Sequence, residues 1–594
     1  MSIFSQSTKY SNTRASILKK PSSLARRLSQ INTQPKVRFE LPHSKRVQSI
    51  LLDFVNKSSN RDYENLLVLL RDAELYDDDL SSLLQEASEC ISLLNRDFRL
   101  FVEAILCVTW VNRNKTVVGA YQTFIVNLVS AHNYHAKYVI DKLVALFIAD
   151  PSEVEWPDGI PSDEDCLKFA NIHYLLNILL IVIPMCKELL LHSLRNQFPY
   201  HTKSTHIHEY YIHNLLWILE YQPTFRHEIL HLIFSKLLIM DVNAPKEEIN
   251  KVMNSDSNEI FQMEEDTCSV KTTSSCHNIA HTLDICMDKM FNYIIQECHN
   301  PDGSVRWEQT KALYQDMISI FDKVILPTYN THHVQFVMFV LCSIKSSLTE
   351  AFLNYLWKKV CNPSVASVIR QASVNYLASL IARAKYVPFS MLKGTLQEMA
   401  EWIHVYISSQ DGLEYINSDV RVHYVFYSVC QALFYVVVFR KKDLVQTKKD
   451  IVFLDSLNMA KMVTCRLNPL RVCQPAVVQN FAALTRKYQL AYCYTVMEQN
   501  SRNTLPTIYQ DEKGAVVMSK STLDAFYPFD PYILERSSQK IQILYKEYKE
   551  KRKRNDTEKM DVVEDVDDFL YQENPQSNSF KFSYGSSPGF KFKG

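Results

Sequence analysis

The residues best spaced for chemistry are His227 and His231, in the string His227-Glu228-Ile229-Leu230-His231, an H-E-x-x-H match. On a helix, histidines four apart share a face and can hold a zinc ion, with the glutamate as general base for hydrolysis. Zinc chemistry needs more than the pair. A third ligand must complete the coordination, and a strand must lay substrate beside the metal. The candidate third ligands Glu247 and Glu248 lie beyond Pro245 in a polar stretch, and no strand pattern precedes the motif. Ile229, Leu230, Ile233 and Leu237 recur at helical spacing, so the same string also reads as a buried stripe with histidines at its edge.

The remaining histidines are weaker. His208 and His213 are five residues apart, which turns the second about 140° away on a helix. His132 with His135, and His332 with His333, have no acidic or cysteine companions at ligand spacing. The chain holds only nine glycines in 594 residues, against several per cent in an average protein. Phosphate loops, Rossmann turns and nucleophile elbows depend on glycine for positive φ or close approach, and G-x-x-x-x-G-K, G-x-G-x-x-G and G-x-S-x-G are all absent. No cofactor is expected, and nucleophilic catalysis has no motif to support it.

What would position these residues is a long series of helices. Val47, Ile50, Leu51, Phe54 and Val55 follow spacings of three and four, as do Leu80, Leu83, Leu84, Ala87 and Ile91. Comparable stripes recur to about residue 500, separated by short polar breaks such as Asn362-Pro363, and strand-like alternation is almost missing. At this length one compact core stops growing. The expected fold is therefore all-α, a HEAT-like solenoid of antiparallel helix pairs, with closed helical bundles as the competing architecture.

Composition shifts suggest the boundaries. Residues 1–45 form a basic arm expected to be disordered: ten cations (Lys9, Arg14, Lys19, Lys20, Arg26, Arg27, Lys36, Arg38, Lys45 and Arg46) meet the single acid Glu40 in the first fifty residues. Residues 46–242 and 278–548 are expected as two solenoid halves, separated by a flexible polar insertion over 243–277. Residues 549–594 run from basic to acidic to Ser, Phe and Gly, and read as a disordered tail.

Lys+Arg and Asp+Glu are equal at 65 each, so no global field draws the chain to nucleic acid or membrane. The 14 cysteines include no C-x-x-C and sit mostly among apolar residues, as Cys107 and Cys430 do, which reads as reduced core thiols of an intracellular protein. The longest apolar stretch, around Leu175 to Met185, is interrupted by Asn177 and Pro184 and reads as too short to span a bilayer. Lys549, Lys551, Arg552, Lys553 and Arg554 form a basic run suited to an import receptor, or to the solvated end of a helix. Ser29, after Arg26-Arg27-Leu28, and Ser587, before Pro588, are expected phosphorylation sites.

Several strings, taken in order, carry a resemblance. They include LVSA (Leu128 to Ala131), YYIHNLLWILEYQPTFRHEIL (Tyr210 to Leu230), IFDKVILPTY (Ile320 to Tyr329), IRQASVNYLASLIARAK (Ile369 to Lys385), LNPLRVCQPAVV (Leu467 to Val478) and FYPFDPYIL (Phe526 to Leu534). The set resembles the TIF-IA family of RNA polymerase I initiation factors from about residue 45 to 570. The resemblance implies a nucleolar HEAT-repeat protein, without catalytic activity, that bridges RNA polymerase I to the promoter-bound selectivity or core factor for ribosomal RNA synthesis. It also implies phosphoregulation of a polymerase-facing patch by protein kinases, with Ser130 in that patch. For the promoter factor, Arg383 and Lys385 at the end of a helix are the expected contacts, beside the plainer reading that they complement the helix dipole. A second copy of the chain is a further expected partner, and DNA contact by the basic arm stays open. The second reading is a generic helical-repeat adaptor or nuclear transport receptor; the third is the zinc metallohydrolase at His227 and His231.

Overall fold

The computed structural model describes residues 46–548, apart from 57–59, 73–74, 150–155, 157–158, 245–278, 330, 413–419, 503–507, 511–515, 519–521 and 524–525. The fold is all-α, with one two-stranded ribbon that the pattern did not announce: Ile508–Gln510 pairs antiparallel with Val516–Met518, Tyr509 opposite Val517. The basic arm, the polar stretch from 245 and the tail fall outside the described residues.

The described chain divides into two compact units, one from residues up to Leu143 with Glu164–Leu190, the other from Val144–Asp163 with the residues after Leu190. The boundaries of these units fall elsewhere than those of the expected halves at 46–242 and 278–548. Helices on either side of the polar stretch belong to the same unit and pack directly on each other, because their apolar faces need one another more than the intervening sequence separates them.

The first unit holds α1 (Val47–Val55), α2 (Arg61–Asp72), α3 (Asp77–Glu89), α4 (Arg99–Leu106), α5 (Lys115–Ala131), most of α6 (Ala136–Ala145) and α7 (Asp163–Val182). Asp77, Asp78 and Asp79 open α3, where their charge complements the helix dipole, and Asn114 caps α5 by accepting from the Val117 N–H at 3.0 Å. Leu80, Leu83, Leu84 and Ala87 of α3 are buried, as are Val117, Phe124, Ile125 and Leu128 of α5, and the two helices pack on each other. Helix α7 is long and apolar enough to cross a membrane, contrary to the reading of a short interrupted stretch. Its Phe169, Ile172, Leu175, Leu176, Leu179 and Leu180 are buried, and Asn171 donates to the Val111 carbonyl at 2.9 Å. The face it leaves outside carries Leu167, Tyr174 and Ile181, one every seven residues.

The second unit takes in Val144–Asp163, resumes within α8 (Cys186–Asn196) and continues through α9 (Thr205–Tyr221), α10 (Arg226–Asn243), α11 (Ile279–Cys298), α12 (Trp307–Ile320), α13 (Phe336–Ser343), α14 (Ser346–Cys361), α15 (Ser367–Arg383), α16 (Phe389–Asp411) and α17 (Tyr424–Phe439). It ends with the short helices α18 (Lys441–Leu444), α19 (Lys448–Ser456), α20 (Met459–Thr464) and α21 (Pro469–Val472), then α22 (Pro475–Tyr488), α23 (Cys493–Arg502) and α24 (Glu535–Gln542). Successive helices stack as expected of helix pairs: α14 on α15, α15 and α16 on α17, α17 on α22. Helix α17 is buried on every side from Val425 to Phe439, which explains why its sequence is apolar all round rather than striped. Asn458, Asn468 and Gln489 take positive φ at helix junctions, serving where glycine would be usual. Most described cysteines are buried or half-buried, but Cys107 and Cys361 are exposed; Cys107 caps α4, and Lys142 Nζ lies 3.3 Å from its sulfur.

Candidate partner-docking surface

The expected promoter-factor contact sits where α15 ends, and the structure splits its two cations. The Arg383 side chain is buried, with its guanidinium over the Phe439 and Tyr545 rings at 4.7 and 5.3 Å and 3.9 Å from Asp530. Little of this side chain is left for a docking partner to meet. A guanidinium stacked between aromatic rings beside a carboxylate fastens the chain to itself. Lys385 is exposed, its ammonium directed at the carbonyls of Gln542 and Ile543 at 3.3 and 3.4 Å.

Those partners belong to a C-terminal strap, residues 526–548, that crosses the second unit. Tyr527 stacks on Tyr435 at 3.9 Å, Phe529 packs against Phe336, Phe339 and Tyr376, and Tyr532 meets Phe291, His333 and Phe336. The strap then makes α24, whose first turn is capped by Asp284 of α11: the N–H groups of Arg536 and Ser537 donate to its two oxygens at 2.8 Å each, and the Ser537 hydroxyl donates as well. Lys540 and Arg536 pair with Asp288 one turn further along α11. Beyond α24, Ala384 and Tyr545 form an antiparallel bridge, Lys385 N donating to Leu544 O at 2.9 Å and Lys546 N to Arg383 O at 2.6 Å. Lys546 and Arg440 share Asp443, and Lys441 reaches the Tyr548 hydroxyl.

Two further clusters brace this unit. Asp241, at the end of α10, accepts from the N–H groups of His332, His333 and Val334 and from the His333 ring. Burial would push this carboxyl up, but the His333 ring and those donors outweigh it and hold the carboxyl below its ordinary value. Lys289 lies over the Trp156 ring at 4.9 Å and 3.5 Å from Glu209; burial lowers its pKa against the pull of that carboxylate. Gly159, at φ +73°, runs past this pair, and a Cβ there would meet Glu209 Oε1 at 3.0 Å.

His227 and His231 do share a face of α10, with ring centroids 6.2 Å apart, and His227 Nε2 lies 3.2 Å from the Ser319 hydroxyl. Burial lowers the His231 pKa, with the charges of His227, Arg195 and Lys323 adding to it and that of Glu228 opposing it. Among the described residues no group of three metal-ligating side chains forms, while Glu247 and Glu248 fall outside them. In the first unit Ser130 is exposed in the last turn of α5, its hydroxyl donating to the Val126 carbonyl at 2.7 Å. A groove of about 580 Å³ lies in the same unit, with Arg96, Arg99, Tyr134 and Lys137 on its walls. Ser29, Ser587 and the run Lys549 to Arg554 lie outside the described residues.

Stacked helix pairs tied by a strap define an all-α, helical-repeat protein. A family model described as RNA polymerase I specific transcription initiation factor RRN3 matches residues 43–553, and the chain belongs to that family. It is an RNA polymerase I-specific transcription initiation factor, which is a nuclear role. The chain is similar to the RNA polymerase I-specific transcription initiation factor RRN3 of Mus musculus, 37% identical over 566 residues covering 90% of this chain and 86% of the relative. It is also similar to the rrn3 factor of Schizosaccharomyces pombe, at 25% over 79% of this chain and 80% of the relative. A crystal structure of RNA Polymerase I Transcription Initiation Factor Rrn3 shares the fold, with TM-score 0.67 at 20% identity over 84% of this chain and 97% of that one.

Proposed function

We propose that this chain bridges RNA polymerase I to the promoter-bound selectivity or core factor, acting in the nucleolus on ribosomal RNA genes and catalysing no reaction itself. The observation that carries this reading is a family match running from residue 43 to 553, through both compact units. Ser130 is the proposed point of control on the polymerase side, since an added phosphate of about −2 charge brings repulsion and desolvation cost to a contact. Lys385, exposed beside the strap, is the proposed promoter-factor contact. Protein kinases act on Ser130, Ser29 and Ser587, and an import receptor reads Lys549 to Arg554. The outward stripe Leu167, Tyr174 and Ile181 of α7 supports a second copy of the chain as a further partner.

Affinity purification of the tagged full chain from nuclear extract tests this reading. RNA polymerase I and promoter-factor subunits are the expected co-purifying proteins. Recovery of a Ran-type GTPase or cargo proteins in their place would favour a generic adaptor or transport receptor. Stoichiometric zinc in the purified protein, lost on changing His227 and His231 together, would favour the metallohydrolase.

A further inference from the structure

The end of the second unit concentrates positive charge and exposed aromatic rings on one small module. Helices α20, α21, α22 and α23 pack on one another over residues 459–502. This stretch carries Lys461, Arg466, Arg471, Arg486, Lys487 and Arg502 against the single acid Glu498, in a chain whose overall charge is zero. Glu498 is itself paired with Arg502 at 2.6 Å. From outside the module, Asp411 at the end of α16 approaches Cys465.

The rings are placed by the backbone. Gln489 takes a left-handed conformation at φ 57°, ending α22, and Leu490 N closes the turn on Thr485 O at 2.9 Å. Residues 490–492 then link α22 to α23, with Leu490, Ala491 and Cys493 buried, which turns Tyr492 and Tyr494 outward at 82% and 45% exposure. Arg486 stands over the Tyr494 ring at 5.4 Å and Lys487 over Tyr488 at 5.3 Å. The amides of Asn468 and Asn500 bond reciprocally at 2.6 and 3.2 Å, joining the loop between Arg466 and Arg471 to α23.

We propose that this surface binds single-stranded nucleic acid, the cations following the phosphates and Tyr492 and Tyr494 offering faces on which bases stack. A protein partner would also use tyrosine and arginine. The excess of cations and a ring standing almost wholly in solvent favour a polyanion whose units are flat. Sequence preference is expected to be weak, because every base presents a π face.

The test is fluorescence anisotropy of the full chain with a labelled twenty-nucleotide single strand and a duplex of the same length, from 50 to 200 mM salt. Neutralising about four phosphates predicts a slope near −3 for log affinity against log salt with the single strand. Tyr492→Ala with Tyr494→Ala should weaken single-strand binding roughly ten-fold or more, and Tyr492→Trp should retain it. Arg471→Glu with Arg486→Glu should abolish it, with thermal melting confirming that each variant is folded. Binding that survives the tyrosine changes and is lost only when the cations of residues 1–45 or 549–554 are removed overturns the proposal. So does tyrosine-dependent binding of polyglutamate with none of the single strand, which would make this a protein-docking surface.

Discussion

The backbone N–H of Lys546 donates to the carbonyl of Arg383, so the last strand-like turn of the strap lies along the end of α15. Through this contact the end of the described chain closes over a helix end that looked, from its two cations, like an open docking site.

The strap is expected to be a structural lock. Phe529 is fully buried among Phe336, Phe339 and Tyr376, and Phe529→Ala should cost about 3–5 kcal/mol in urea unfolding. Tyr492→Ala, on an exposed ring, should stay within about 0.5 kcal/mol of the parent. Equal stability of the two variants would show that the strap is not integral to the unit.

Arg383 and Lys385 should separate by experiment. Arg383→Glu puts a carboxylate near Asp530 inside an aromatic slot, and loss of about 3–5 kcal/mol is expected for breaking a buried charge pair. Lys385→Glu should leave the melting temperature nearly unchanged while weakening capture of the promoter factor and sparing that of RNA polymerase I. Unchanged capture of both partners by Lys385→Glu would remove Lys385 as a contact.

Asp241 should contribute a pH dependence. Its carboxyl is held below the ordinary value in the folded chain, so the unfolded chain binds the proton more readily. The stabilisation is present above the unfolded pKa of about 4 and is lost as pH falls through the lower folded value. Denaturant midpoints measured downward from pH 6 should drop more steeply for the parent than for Asp241→Asn. That variant should also be less stable at neutral pH, because the N–H groups of His332, His333 and Val334 lose a charged acceptor.

Ser130 should act on binding with little effect on folding. A negative charge in the last turn of α5 meets the negative end of the helix dipole, an effect of about 0.3–1 kcal/mol at most. Ser130→Asp is therefore expected to fold normally and to bind RNA polymerase I less well in a pull-down, and Ser130→Ala to bind as the parent does. Equal binding by all three would remove Ser130 from that interface.

Sequence alone determined the helical class, because apolar spacing of three and four and scarcity of glycine are local properties that leave few other ways to bury side chains. It also carried the family resemblance, which depends on the order of strings and not on where they meet. Only the tertiary structure decided that Arg383 faces inward, since its slot is built by Phe439, Asp530 and Tyr545 from distant parts of the chain. It likewise decided that α10 and α11 pack together across the polar stretch between them, and that Tyr492 stands in solvent while Tyr527 is buried. A tyrosine or an arginine has the same chemistry in either place. Burial and partners arise from long-range packing, and that information lies in the relation between segments rather than within any one of them.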